Sequence, residues 1–552
     1  MGLPRGAEKK VWVSNFAFSP GEGCTFETFD RPVWYIFHPM SSISVSCGLA
    51  LVAGAWAIFS IFRAQLLRLK MPPGPPGIPF VGNIFQVPNK LSWLRFSEFA
   101  REYGPVISFV AMGQPVVVLH DHKSAYELLE RRSAAYSHRP AFIMAGELLC
   151  GGIMLPMINS GSLFRRMKRS THATFNPRAA ERFKPLQEGE AIRLTSDLLE
   201  NSLEWDHIIQ SSTSSSILTA IYAWPRLTEE HHPIVQRIHD HLERVSKACI
   251  PGSSMVDIFP AINRLPLWMS KWKRDALKWH ERETTMFEGF YREVEDKMVE
   301  GKAFESFTRS LIETKAVNEL SVKEASWLSG IMFSAGAETT IASMKCFLIA
   351  MIHYPHVMRK AQAELDRVVG RDRLPSFMDK EHLPYIRAIV KELLRWRPPA
   401  PLGIPRRLTE DDWYDGYFIP KGTTVISNIW AINRDPSIYN NPEEFIPERH
   451  LDDEGVNDVS PPEMHSLGHS TFGFGRRSCV GMSFASQTLF INFALLLWAF
   501  DIDRARDADG EETMPSLTDF VDHGISVGPA PFHCSLVPRH PDVAIVVGRS
   551  LA

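Results

Sequence analysis

The stretch FGFGRRSCVG at residues 472–481 decides how the rest of the chain is interpreted. Its glycines permit a sharp turn and let another molecule approach the backbone closely. The apolar run that follows, residues 480–500, has the pattern of a helix, so the turn delivers Cys479 to a helix N-terminus. Unpaired N–H groups and the positive end of the helix dipole favour a thiolate there. Cys479 is therefore a candidate metal ligand, and Arg476 is placed to face a carboxylate.

The other six cysteines are scattered along the chain without a CxxC pair. Such usage indicates a reducing compartment rather than a disulfide scaffold. A lone cysteine is most often simply buried, and that alternative applies to Cys479 as well. The neighbouring glycines and arginine are what favour metal binding.

A second segment has the pattern of a buried helix. Ser321 and Glu324 form a capping-box pattern, and the residues that follow are apolar on most faces. Its centre reads AGAETT at residues 335–340, where glycine costs about 1 kcal/mol relative to alanine, which indicates close approach of another group. Glu338 and Thr339 can relay protons where water is excluded. The alternative is a threonine bonded back to its own helix beside a surface glutamate.

Between these two segments, ELLR at residues 392–395 places opposite charges at positions i and i+3 of a predicted helix. On a solvated helix face, such a pair alone stabilises the helix by only about 0.3 kcal/mol. A further arginine, Arg449, follows in the run PER at residues 447–449.

In this order the segments resemble the cytochrome P-450 family. The cysteine turn is similar to its haem-binding signature, Phe-Gly-x-Gly-Arg-x-x-Cys-x-Gly, and carries all six fixed positions: Phe472, Gly473, Gly475, Arg476, Cys479 and Gly481. The AGAETT segment resembles the family's oxygen-activation motif. The pair at 392–395, with Arg449, resembles its Glu-x-x-Arg motif and second arginine.

The resemblance implies a cytochrome P-450 fold that holds heme b (iron protoporphyrin IX), with Cys479 as the axial ligand of the iron. Glu338 and Thr339 would deliver protons during oxygen activation. Three residues would form a buried structural triad behind the haem: Glu392, Arg395 and Arg449.

The same resemblance implies basic partners for the two haem propionates. Arg476 and Arg406 stand at the corresponding positions. A further contact normally comes from a Trp-Arg-x-x-Arg pattern, but this chain has FRRMK at residues 164–168. Phe164 has no N–H to donate, so at most Lys168 serves there.

The activity implied is that of a monooxygenase that inserts one atom of O2 into a lipophilic small molecule. Electrons would come from NADPH through NADPH:cytochrome P-450 reductase, with cytochrome b5 as a further partner. The run GYFIPKG at residues 416–422 looks most like fungal enzymes of secondary metabolism, which act on terpenoids, polyketides or alkaloids. Two alternatives stay open: a haem-thiolate isomerase, dehydratase or peroxygenase, and a membrane haem-binding protein without chemistry.

Substrate contacts are expected from four apolar stretches. Each of them is equally compatible with ordinary core or with membrane-contact surface. They are residues 142–158, 255–268, 399–404 and 520–525.

The N-terminal region predicts membrane attachment. Residues 32–62 carry no Asp, Glu, Lys or Arg, and residues 43–62 provide the 20 residues that a crossing helix needs. We predict a transmembrane anchor at 43–62, preceded by a short lumenal segment at 1–42. If translation starts at Met40, most of that segment is absent from the protein. A cleaved signal is the alternative, but the apolar sequence continues past its small-residue site.

Behind the anchor we expect a basic and Pro-rich hinge at residues 63–77, in which PPGPPG at 72–77 forms a stiff extended spacer. A catalytic domain follows at 78–552. Arg63, Arg68 and Lys70 follow the anchor, whereas only Arg31 lies close before it. This asymmetry predicts a single-pass protein of the endoplasmic reticulum membrane whose domain faces the cytosol.

For the catalytic domain the patterns predict a mainly α, α+β fold with a small β-rich subdomain. We expect a hairpin through Gly113, a strand at 423–429 and a last helix at 480–500. The other helices are expected at 124–132, 188–203, 234–248, 270–300, 321–353, 356–369 and 383–396.

The composition is that of an ordinary globular protein, with 45% hydrophobic and 22% charged residues among 552. Its 60 basic and 63 acidic residues leave a formal net charge of −3. This balance provides no electrostatic argument for nucleic-acid binding, so we expect no nucleic-acid partner.

Overall fold

The computed structural model of the protein describes residues 69–78, 81–225, 233–250, 252–302, 304–461, 467–506 and 509–551. The expected lumenal segment and membrane anchor lie outside the described residues. The architecture is mainly helical with several small sheets, in agreement with the predicted fold class.

Helices form most of the domain, and each long helix predicted from the sequence is present within a few residues of its expected bounds. In chain order the α-helices are α1 Ser92–Tyr103, α2 His122–Ala125, α3 Ser162–Phe175, α4 Pro177–Ala180, α5 Lys184–Glu200, α6 Trp205–Tyr222, α7 Pro233–Cys249, α8 Met255–Ile258, α9 Lys271–Val299, α10 Phe307–Glu313, α11 Lys315–Asn318, α12 Val322–His353, α13 Pro355–Val368, α14 Pro384–Trp396, α15 Ile429–Ile432, α16 Met482–Ala499 and α17 Val543–Leu551. Two segments, Tyr126–Arg131 and Ile143–Leu149, are wound in wider turns of the π type.

Within the described residues, the strands are short and belong to four small sheets. They are β1 Val106–Ala111, β2 Gln114–Leu119, β3 Arg406–Arg407, β4 Asp412–Tyr414, β5 Tyr417–Ile419, β6 Thr424–Ser427, β7 Phe500–Arg506, β8 Glu512–Thr513, β9 Phe520–Asp522, β10 Val527–Pro529 and β11 Cys534–Pro538.

The largest sheet has the strand order β1-β2-β6-β3. The β1–β2 hairpin turns through Met112 and Gly113, both with positive φ (48° and 81°), which is the backbone of a tight hairpin turn. Strand β6 pairs in parallel with β2, and β3 pairs antiparallel with β6. Most helices therefore lie in the long connection between β2 and β6.

Helix α17 contradicts the prediction that the helix after Cys479 is the last one. Its run of Val and Ile favours a strand by propensity. However, Val543, Val546 and Val547 occupy positions i, i+3 and i+4 and pack into the same core as α16. Burial of one helical face overrides the local preference.

Helix α6 was also missed by the sequence patterns. It is rich in serine and threonine, which have modest helix propensity and bond to local backbone. In the structure it is buried on most sides and packs against α5 and α12. Tertiary packing, not a periodic apolar face, makes this segment helical.

Helix α12 runs through the core of the domain. Its predicted capping box is present: Ser321 Oγ accepts from the Glu324 N–H (3.2 Å), and Glu324 Oε2 accepts from the Ser321 N–H (2.8 Å). Phe347 stacks on Phe493 of α16, with ring centroids 3.9 Å apart. This contact holds α12 against the helix that follows the cysteine turn.

Among the described residues, α12 and α16 are the two helices that are long and apolar enough to cross a membrane. Their most apolar windows are 67% and 72% buried within the domain. Both helices are thus part of the protein core.

The proline-rich spacer is extended, but its described part lies against the domain. Pro73 O accepts from the Ser108 N–H of β1 (2.8 Å), and Pro75 O accepts from the Asn83 side chain (2.9 Å). Gly74 lies so close to Ser108 that a Cβ would overlap its carbonyl oxygen. The 72–77 segment is therefore packed against the domain at strand β1.

Candidate functional site

The cysteine turn is held by its own backbone and by the wide-turn segment Tyr126–Arg131. The Cys479 N–H donates to Phe472 O (2.8 Å), and the Gly475 N–H donates to the Glu130 carboxylate. Gly473 and Gly475 have positive φ (71° and 55°). A Cβ on Gly475 would lie 2.5 Å from Leu129 O, so this turn requires glycine there.

Cys479 is the one exposed cysteine among the five that the structure describes. Its side chain is accessible, yet protein atoms surround it on most sides, so burial raises the pKa of the thiol. The backbone N–H of Gly481, which caps α16, and the positive charge of Lys168 act in the opposite direction. A metal cation bound to the sulfur would stabilise the thiolate much more strongly.

A cluster of cations lies beside the turn: Arg139, Lys168, Arg406 and Arg477, which we call the cationic cluster. Burial and the charge of Arg477 lower the pKa of Arg406 to about 10, and burial lowers that of Arg477 to about 10. Burial, followed by the charges of Arg477 and Arg406, lowers the pKa of Arg139 and of Lys168. Buried like charges are costly unless an anion compensates them.

This donor set fits a haem. The Glu130 carboxylate supplies one negative charge near Arg406 and Lys168, and two propionates would supply the rest. The accessible Cys479 would supply the ligand of the iron. Arg406 donates to Leu129 O (2.9 Å) and Phe474 O (2.6 Å). Those two bonds use only two of the five N–H donors of a guanidinium. Lys168 reaches the turn itself, where Nζ donates to Arg476 O.

The structure places Arg477 in the cationic cluster, and not Arg476, which was expected to face a carboxylate. Arg476 is exposed. Arg477 turns inward, donates to Ser137 O (2.9 Å) and Ile158 O (2.6 Å), and lies 3.8 Å above the Phe164 ring. Both residues belong to a short 3-10 turn, in which consecutive side chains point about 120° apart. Position in the motif alone did not reveal which one faces inward.

Arg139 was missed because no local pattern marks it. Its guanidinium donates to Pro156 O (2.6 Å), Ile404 O (2.6 Å) and Pro405 O (2.8 Å). These partners are up to 266 residues away in sequence. A buried arginine between turn residues is visible only after folding.

The centre of α12 carries an opening in an otherwise buried helix. Ala335 is exposed although Ser334 and Ala337 beside it are buried. Thr339 Oγ1 donates to Ala335 O (2.8 Å), as in the alternative of a threonine bonded to its own helix. Glu338 Oε1 accepts from Ser526 Oγ. The acid and the hydroxyl that the sequence paired thus have separate partners.

Glu392, Arg395 and Arg449 come together in the structure. Arg395 Nε and Nη2 donate to the two Glu392 oxygens (2.7 and 2.8 Å), and Arg449 Nε donates to Glu392 Oε1 (3.2 Å). Glu392 and Arg395 are fully buried. The structure adds a fourth residue to this group. His450, which follows Arg449 and was not predicted from the sequence, has its Nε2 3.0 Å from Glu392 Oε2.

The family model for cytochrome P450 matches residues 72–527. Cytochrome P450 monooxygenase 58 of Postia placenta is 52% identical over 477 residues, which cover 86% of this chain and 90% of that protein. A cytochrome P450 monooxygenase of Armillaria gallica is 42% identical over 499 residues (90% and 95%). Cytochrome P450 monooxygenase iboC of Amanita muscaria is 34% identical (90% and 96%).

These relatives are fungal, and they match nearly the whole domain that carries the cysteine turn, the α12 opening and the buried triad. The family implies a haem cofactor, which the residues around Cys479 fit. The chain belongs to the cytochrome P450 family and is a monooxygenase, an oxidoreductase that incorporates oxygen from O2.

Proposed function

We propose that this monooxygenase inserts one oxygen atom into a lipophilic small molecule of fungal secondary metabolism, of the terpenoid, polyketide or alkaloid class. Electrons come from NADPH through NADPH:cytochrome P450 reductase, with cytochrome b5 as an accessory donor. The observation that carries the haem chemistry is an accessible Cys479 thiol beside the cationic cluster. The fungal relatives support the metabolic context.

Cys479 would bind the haem iron through its sulfur, and Arg139, Lys168, Arg406 and Arg477 would pair with the two propionates. When bound, the haem supplies the reductive activation of O2 and the oxygen transfer, helped by electron donation from the thiolate.

The polypeptide supplies protons and excludes water. Thr339 presents a hydroxyl at the opening of α12, and Glu338, the preceding residue of the helix, offers a carboxyl group as a proton relay. Apolar side chains around the opening, such as Ile217 beside Gly336, keep bulk water out.

We further propose that residues 43–62 anchor the protein in the endoplasmic reticulum membrane, with the domain on the cytosolic side. An exposed apolar surface supports contact with lipid. It consists of Met255 (59% exposed), Phe259 (44%), Leu267 (49%), Trp268 (78%) and Met269 (56%). Residues 255–268 were expected to contact substrate, to belong to the core or to contact the membrane, and the exposure of these side chains supports membrane contact.

The haem-thiolate site is tested by the carbon monoxide difference spectrum of the reduced protein. The parent is expected to show the Soret shift of a thiolate-ligated haem, and Cys479→Ala is expected to lose it. Cys534→Ala, which removes a buried cysteine of β11, is the matched control. A parent without the shift, or a Cys479→Ala variant that keeps it, contradicts the proposal.

Electron supply is tested by product formation with candidate terpenoids, polyketides and alkaloids. We expect turnover only with NADPH, reductase and O2 together. Turnover without NADPH and reductase would indicate the isomerase, dehydratase or peroxygenase alternative instead.

A further inference from the structure

Glu338 has a partner that no motif indicates. Ser526 Oγ donates to Glu338 Oε1 across 188 residues of sequence. Ser526 is only 3% exposed and directly precedes β10, which packs against α12. The acid is therefore directed to the β9–β10 hairpin and not to Thr339.

Ser526 is fixed in place independently of Glu338. The Val527 N–H next to it donates to Pro399 O (2.8 Å), and Ser526 O accepts from the His523 N–H (3.0 Å). At the turn, Gly524 has φ +103°, and a Cβ there would lie 2.5 Å from Ser246 O of α7. The hairpin is held between α7 and α12, so the Ser526 hydroxyl is a rigid anchor for the carboxylate.

The neighbouring hydroxyl is engaged elsewhere. Thr339 donates to Ala335 O of its own helix, and adjacent helical side chains point about 100° apart. Glu338 and Thr339 thus reach different surroundings of α12: the first reaches the hairpin, and the second lies at the opening around Ala335.

We propose that Ser526 is a positioning residue that holds the Glu338 carboxyl group at the hairpin. The hydrogen bond from Ser526 Oγ fixes the direction of this side chain. From this position Glu338 passes a proton toward Thr339 and takes up another in exchange, while Ser526 keeps its own hydrogen. The inference deepens the proposed function and rests on the role given there to Glu338.

The test compares Ser526→Ala, which removes the hydroxyl alone, with the parent holoenzyme. We expect the ratio of product to hydrogen peroxide to fall roughly tenfold, the order expected for one hydrogen bond to a charged group. Substrate affinity, measured by the spin-state shift of the haem without turnover, should change less than about twofold, because the substitution removes no contact that we assign to substrate binding. We call this ratio of product to hydrogen peroxide the coupling. Ser526→Thr keeps a hydroxyl and is expected to restore the coupling.

Ser334→Ala is the matched control. It removes another buried serine hydroxyl, which donates to Gly330 O within α12 and does not touch Glu338. Coupling should stay at the parent level. A loss of coupling as large as that of Ser526→Ala would mean that any buried hydroxyl has this effect, and would overturn the proposal.

A second readout does not depend on activity. In crystal structures of the haem-loaded proteins, Glu338 should leave the hairpin in Ser526→Ala and stay there in Ser526→Thr. An unmoved carboxylate in Ser526→Ala, or unchanged coupling, overturns the inference. Should Ser526→Ala fail to bind haem, Ser526→Cys, a weaker donor of similar size, is measured by the same criteria.

Glu338→Gln separates this inference from the proposed function. If Glu338→Gln uncouples the enzyme and Ser526→Ala does not, only the role of Ser526 is wrong. If Glu338→Gln leaves coupling unchanged, the role of Glu338 in the proposed function is wrong, and the inference falls with it.

Discussion

Two glutamates of this protein, Glu392 and Glu338, show how differently one side chain is used in two regions. Glu392 is fully buried and accepts hydrogen bonds from Arg395, Arg449 and the Ile446 N–H, with His450 in reach. Glu338 is half-buried, and among the described residues it accepts a hydrogen bond from the Ser526 hydroxyl. Glu392 is fixed by several charged partners and supports the fold, whereas Glu338 is held by the hydroxyl of Ser526 next to the proposed site of oxygen chemistry.

The largest effect is expected at the locked glutamate. Glu392→Ala leaves Arg395 buried without its carboxylate, which costs about 3–5 kcal/mol of unfolding free energy. We expect little haem-loaded protein and a much lower urea midpoint. The control is Glu98→Ala in the exposed Arg95–Glu98 pair of α1, which has the same i, i+3 spacing and should cost under about 1 kcal/mol. Equal costs at the two sites would break the comparison.

The next effect concerns catalysis and not stability. Thr339→Ala removes the hydroxyl at the opening of α12, and product formation should fall about 100-fold or more while NADPH is still consumed. Thr339→Ser keeps the hydroxyl and should retain most of the coupling. The urea midpoint of both variants should match the parent, because only a local bond to Ala335 O is lost. A tightly coupled Thr339→Ala enzyme would contradict the role of this hydroxyl.

A smaller effect distinguishes the adjacent arginines of the cysteine turn. Arg477→Ala should weaken haem retention about tenfold, because it removes a charged donor from the cationic cluster. Arg476→Ala should retain haem like the parent, since its side chain is exposed. The rate of haem transfer to an acceptor protein measures both. Faster haem loss from Arg476→Ala than from Arg477→Ala would indicate that Arg476 is the propionate partner.

The smallest effect is the pH dependence of stability around Glu392. Although burial opposes it, bonds from Arg395 and His450 lower the Glu392 pKa to about 2, so its stabilisation is full above about 4.5 and is lost as pH falls toward 2. Burial lowers the pKa of His450, so its contribution is full above 6.5 and declines below. Urea unfolding of the parent should show both losses.

His450→Gln tests the assignment of the upper part of this profile. The variant should lose the decline that begins near pH 6.5 and keep the one below 4.5. An unchanged profile in His450→Gln would contradict the assignment of the upper decline to this histidine.

Much of the fold followed from local patterns. Three predicted features involve residues within four positions of one another: the capping box of α12, the hairpin at Gly113 and the pair at 392–395. At such short spacing the backbone geometry determines which side chains come into contact. Helix α17 and helix α6 escaped prediction because their local propensity pointed elsewhere and burial decided them. The proline-rich spacer was predicted as extended, but its docking on β1 depends on a strand distant from it.

The sequence by itself determined that Cys479 stands before a helix in a glycine turn, that Glu338 and Thr339 lie at the centre of a buried helix, and that Glu392 faces Arg395. These are relations within one turn or one helix. Only the tertiary structure decided that Arg477 and Arg139 belong to the cationic cluster. It also decided that His450 contacts Glu392 and that Ser526 donates a hydrogen bond to Glu338. Those partners are brought together over 58 to 340 residues, and packing of the whole core selects among many equally plausible side chains.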